Sequence, residues 1–112
     1  MRREVERLRD ILEAIKRIEA KMVSERAAFD DDEMLQIWVL HHLQIIGEAV
    51  NQLDEDIQRQ YPEAPWRAII GLRHILVHQY FDIDLDIIWK VAGEELPALK
   101  AQVQKILKEM QT

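Results

Sequence analysis

The residues with the most chemistry to offer lie together. Arg73, His74, His78 and Tyr80 fall within eight consecutive positions, Arg73-His74-Ile75-Leu76-Val77-His78-Gln79-Tyr80. They supply a permanent cation, two imidazoles that can move protons near neutral pH, and a phenol. That combination suits a phosphodiester: a guanidinium fork grips phosphate oxygens, and an imidazole takes a proton from an attacking group or gives one to a leaving group. Packing is the alternative at each position. Arg73 can pair with a carboxylate such as Glu48, His78 can be satisfied in a core, and Tyr80 can pack its ring and bond its hydroxyl to backbone.

Spacing narrows the chemistry. His74 and His78 are four apart and share a helix face, which is half of a metal site. No third ligand accompanies them, and Ile75 after His74 rules out an HExxH pattern, so no metal and no cofactor are expected. The adjacent pair His41-His42 cannot present both rings the same way, and packing in a core or interface is the reading for both. Arg73 and His78 are five apart, about 140° around a straight helix. They converge only if the helix distorts or ends nearby, or if a second subunit completes the site. Asp30-Asp31-Asp32 and Asp82-x-Asp84-x-Asp86 resemble cation clusters superficially. The second lacks the glycine and distal glutamate of an EF-hand, and helix capping accounts for both.

Four helical segments must position these residues, and nothing reads as strand. The first runs from about Arg3 to Val23, with Val5, Leu8, Leu12, Ile15, Ile18 and Met22 as its apolar stripe and Glu13–Arg17 as an ion pair at helical spacing. Ser24 to Asp32 is a polar connector. The second helix runs from about Glu33 to Gln60 and is apolar on more than one face. It is therefore either central or covered by another subunit, and a dimer interface is the preferred reading in a domain this small. Tyr61 to Pro65 is a break. A third helix runs from about Pro65, at its first position, through the Arg73–His78 segment. The last extends from about Asp84 to Glu109, capped by Asp82 or Asp84, with Pro97 kinking or breaking it near Glu95. Trp38, Trp66 and Trp89 are core anchors. The fold class is all-α: an antiparallel helical bundle of four to five helices.

Composition sets outer limits. The 112 residues make one domain, 1–112, large enough for a core. There is no cysteine, which fits a reducing compartment; with no signal-peptide pattern and no apolar run approaching the ~20 residues of a membrane span, a cytoplasmic location is expected. A formal net charge of -6 argues against broad duplex DNA binding but leaves room for a small basic pocket.

Arg73-x4-His78-x-Tyr80 resembles the RX4HXY motif of the HepT-like (DUF86) toxins within the HEPN superfamily. Ile46-Gly47-Glu48-Ala49, Tyr61-Pro62, Pro65-Trp66, Gly71-Leu72-Arg73, His78-Gln79-Tyr80-Phe81 and Ile88-Trp89 follow in the order expected of that family. The resemblance implies a HEPN-like homodimer whose two motifs face one cleft. It implies a metal-independent endoribonuclease with Arg73 and His78 catalytic and His74 and Glu48 in support. It also implies a minimal nucleotidyltransferase antitoxin that attaches AMP to Tyr80. The family often has asparagine where this chain has His74, so His74 either orients His78 or carries a proton itself. With RNA as substrate, a 2′-hydroxyl attacks the neighbouring phosphorus and the 5′-oxygen leaves, giving a 2′,3′-cyclic phosphate. The alternatives are a non-catalytic helical dimer that binds RNA or a nucleotide or docks a nucleotidyltransferase, and a plain structural dimer.

Overall fold

A computed structural model describes residues 2–78 and 84–110, with side chains for 3–72 and 84–110. The first helix, α1, spans Arg2–Lys21. Its stripe is wider than the periodic reading: Leu8, Ile11, Ala14, Ile15 and Ile18 are buried, while Val5, Leu12 and Met22 pack against the edge of the core. Each fully buried aliphatic side chain contributes about 1.5–3 kcal/mol relative to exposure, so this face alone fixes the docking of α1. Glu13 and Arg17 pair at 3.2 Å on the solvent side.

The connector after α1 holds a short helix the periodic reading missed. This α2, Arg26–Asp30, is too brief to show a repeat, and it exists because Phe29 drops into the core with no exposed surface. Helix α3, Glu33–Gln52, follows, and Asp32 caps it by accepting from the Leu35 amide at 3.0 Å. It packs on α1 and α2 and on two helices further along, α5 (Trp66–His78) and α6 (Leu85–Lys90). Both of its apolar faces thus find neighbours within one chain. What remains outside is Met34, Ile37 and Ile45, which are exposed.

The expected helix to Gln60 is in fact two. Leu53 is extended (φ -65°, ψ 144°), and a separate α4 spans Glu55–Gln60. Asp54 caps α4 by accepting from the Asp56 amide at 2.8 Å. Partners on α1 hold the break. Glu4 accepts from the Asp54 amide at 3.0 Å and from Arg7 at 3.1 Å, and Arg7 donates to the Gln52 carbonyl at 2.7 Å. A C-terminal carbonyl and an N-terminal amide that the interruption frees are thereby satisfied.

From Leu85 the chain is helical to Met110, as α6, a π-helical turn at Val91–Glu95, and α7 (Leu96–Met110). Asp84 caps it, accepting from Asp86 and Ile87 at 2.9 and 3.4 Å; Asp82 lies outside the described residues. Pro97 neither breaks nor ends the helix. Its ring cannot tolerate the carbonyl four residues back, and the turn just before it widens instead. Counting Leu85–Met110 as one, the described residues form six helical segments rather than four to five, two of them short, and no strand. The order of contact is α7 beside α1, α1 beside α3, and α3 beside α5. None of the described helices is long and apolar enough to cross a membrane.

The three tryptophans tie elements together, each by a different bond. Trp38 donates to the Arg17 carbonyl at 3.3 Å, fastening α3 to α1. Trp66 donates to the Tyr61 carbonyl at 2.8 Å and closes the turn before α5. Trp89 meets Phe29 edge-on, ring centres 5.4 Å apart, with the Arg26 guanidinium 5.9 Å from its ring.

Candidate functional site

Helix α5 carries most of the candidate residues, and its start is built by sequence-local means. Pro65 sits one residue before the helix rather than at its first position, and its carbonyl accepts from the Ile69 amide at 3.1 Å. Trp66, Ile69 and Leu72 are buried and face the core, while Arg67, Ala68 and Gly71 are exposed. The helix then runs unbroken through Arg73 and His74 to His78, its last residue. The backbones of the three are thus on one rod, with Arg73 and His78 about 140° apart around the axis by the helical period. Their side chains, and all of Tyr80, lie outside the described residues.

Glu48 lies on α3, the helix that packs against α5, and is exposed. It lines a groove of about 360 Å³ between α1 and α3 together with Arg7, Asp10, His41 and Gln44. His41 is not in the core of this chain: it faces solvent beside Glu48, seven residues on along the same helix, where packing against a second subunit stays open. That spacing of two turns was the available signal. His42 does pack. It is buried, its Nδ1–H donates to the Trp38 carbonyl at 2.7 Å, and its ring lies 4.4 Å from that of Trp38. The carbonyl can only accept, which fixes the proton on Nδ1.

Elsewhere the charged groups serve the scaffold. Arg26 bridges Asp30 at 2.7 Å and Asp86 at 2.5 Å, and those two hydrogen bonds hold its guanidinium above its ordinary pKa. Tyr61 donates to Glu109, which raises the phenol above its usual value, with burial adding a smaller push. Among the described residues, no three His, Asp or Glu side chains come together in a way that could hold a metal ion.

What the arrangement offers, then, is one helix whose last two turns carry an arginine and two histidines, beside a neighbour carrying a carboxylate and an exposed imidazole. Groups of these types can bind phosphate and move protons. The comparisons with known proteins point the same way. The family model described as "Ribonuclease HepT-like" matches residues 11–106. A protein of Thermococcus cleftensis named "Probable ribonuclease HepT" is 38% identical over 104 residues, covering 90% of this chain and 93% of its own. Two from Methanocaldococcus jannaschii are similar. "Putative RNase MJ1380" is 38% identical over 76 residues, 68% of this chain and 70% of its own. "Putative RNase MJ0127" is 36% identical over 107 residues, 93% and 87%. No solved structure gives a significant match.

Proposed function

The chain belongs to the HepT-like ribonuclease family, and on that footing we propose that it is a metal-independent endoribonuclease, the toxin of a toxin–antitoxin pair. The observation that carries the reading is the sequence Arg73-x4-His78-x-Tyr80, whose Arg73–His78 part closes α5, in a chain that matches the family across 11–106. His78 moves the proton: it relieves the ribose 2′-hydroxyl of its proton or protonates the departing 5′-oxygen, a role that contributes ~10²- to 10⁴-fold. Arg73 binds the phosphate and stabilises the charge that grows on its oxygens. The bond from the 2′-oxygen to phosphorus forms as the bond to the 5′-oxygen breaks, leaving a 2′,3′-cyclic phosphate and a 5′-hydroxyl. His74 and Glu48 orient these groups. DNA, without the 2′-hydroxyl, is refractory.

Two further parts belong to this reading. The protein acts as a homodimer: Arg73 and His78 diverge around one helix, so a second copy completes the cleft, and the exposed Met34, Ile37 and Ile45 give α3 an apolar row to pair through. A minimal nucleotidyltransferase silences it by transferring AMP to Tyr80. The added bulk and negative phosphate beside Arg73 and His78 obstruct the cleft and repel RNA.

The test is cleavage of a mixed RNA pool in EDTA by protein made without any nucleotidyltransferase, beside His78→Ala. Cutting by the parent alone, ending in cyclic phosphate, supports the reading. A folded, unmodified parent that binds RNA without cutting it transfers the assignment to a non-catalytic binding module.

A further inference from the structure

The acids of this chain avoid one stretch. It has 21 Asp and Glu residues, yet none occurs in the 18 positions from Ala64 to Phe81, between Glu63 and Asp82. α5 lies within that stretch, and every other described helix carries at least one carboxylate. Arg67 is on its first turn, is exposed, and has no ion pair or hydrogen bond among the described residues. It borders a groove of about 520 Å³ that Arg59, Gln58 and Trp66 also line, with Glu55 the one acid there. Arg59 is paired with Asp56 and has Glu55 and Asp54 near it, so Arg67 is the cation of this groove left without an ion pair among the described residues.

Gly71 adds an independent observation. It is exposed in the middle of α5, and a Cβ built on it meets nothing within 4 Å. Glycine is a poor residue for a helix interior, and no neighbour among the described residues requires it. A missing side chain on an open helix face admits close approach from outside. By the helical period, positions 67, 71, 74 and 78 fall within an arc of about 60°, so the row through Arg67 and Gly71 continues to the positions of His74 and His78.

We propose that this row of α5 is a track for the RNA backbone, with Arg67 holding a phosphate upstream or downstream of the bond cut at His78. It rests on the ribonuclease reading and extends it: substrates are bound as strands rather than as single phosphodiesters. The eleven helical steps from Arg67 to His78 rise about 16 Å, the span of about five phosphates in a stacked strand. Gly71 lets the sugar-phosphate chain lie against the helix between them.

The experiment uses the full chain carrying His78→Ala, so that RNA survives, and a labelled single-stranded oligonucleotide longer than that span. Arg67→Gln is expected to weaken binding several-fold at low salt. It also lowers the slope of log affinity against log salt by about 0.7, the share of one phosphate on a single strand. Gly71→Gln, in the same background, is expected to abolish the remaining affinity with helix content unchanged. Arg67→Gln indistinguishable from its background at every salt concentration, in a protein whose parent cleaves RNA, overturns the track and leaves the ribonuclease reading standing. So does Gly71→Gln that splits a dimer while RNA still binds, since the face then belongs to a second copy. A parent that neither cuts nor binds RNA overturns both.

Discussion

Phe29 offers a quantitative test of how the short α2 is held. Described contacts between α2 and α6 include the ion pair Arg26–Asp86, the Arg26 guanidinium over the Trp89 ring, and the ring pair Phe29–Trp89. Their magnitudes differ widely. Asp86 is 82% exposed and Arg26 37%, so water and salt screen the ion pair and its contribution is small. Phe29 has no exposed surface, and Phe29→Ala removes its transfer energy and leaves a cavity, which together cost about 3–5 kcal/mol. A chain of this size has a total stability of about 6–17 kcal/mol, so the loss is a large share of it. With a urea dependence of about 1.5 kcal/mol per molar, the midpoint falls by about 2–3 M at unchanged slope. Helicity followed by circular dichroism at fixed protein concentration reads this directly. Phe29→Leu keeps most of the apolar volume and costs less than about 1.5 kcal/mol. A loss below about 1 kcal/mol for Phe29→Ala refutes the argument, and so does an Arg26→Ala variant that loses more than Phe29→Ala.

Other expectations are simpler. Gly71→Ala stabilises the folded chain by about 0.4–1 kcal/mol, because its Cβ meets nothing and the unfolded chain loses freedom; thermal denaturation checks it. Asp84→Ala removes the cap of α6 and costs about 1 kcal/mol by the same measurement, while Asp84→Asn costs less. In a Tyr80→Phe background, the ultraviolet titration of Tyr61 has its midpoint above the ordinary tyrosine value, and Glu109→Gln brings it back down. The sign for stability follows: the phenol's folded pKa lies above its unfolded one, so its contribution is intact below about pH 10 and is lost as pH rises through the folded value. His78→Ala and Arg73→Ala each lower RNA cleavage by at least about a hundredfold, measured on oligonucleotides in EDTA.

The long helices were legible because each packs a continuous stripe into one core, and a stripe of that length shows its period. Two features escaped. The five residues of α2 span little more than one turn, so its existence depends on what Phe29 finds across the fold. The break at Leu53 is hidden for the opposite reason. Leu53 and Ile57 are four apart and both buried, so the apolar pattern carries straight across a place where the chain is not helical. Only the acidic run Asp54-Glu55-Asp56 marked a new N-terminus locally. The deciding partners, Glu4 and Arg7, lie some fifty residues away and cannot be read from period at all.

The candidate site was legible in a different way, through residue type rather than pattern. Periodicity treats His41 and His42 alike, as polar interruptions in an apolar helix. One ends beneath Trp38 with its proton given to a carbonyl, and the other opens onto the groove beside Glu48. The difference of one position is 100° of rotation, and α3 spends that rotation on the boundary between core and solvent. Charge likewise needs its place as well as its sum. A net of -6 speaks against broad duplex DNA binding, but an average says nothing about where the acids are. They are missing from the stretch that carries Arg67, Arg73, His74 and His78, and a negative surround has a use there. If α5 is the track proposed above, the negative surround disfavours duplexes elsewhere on the protein and leaves a strand the helix face that carries Arg67.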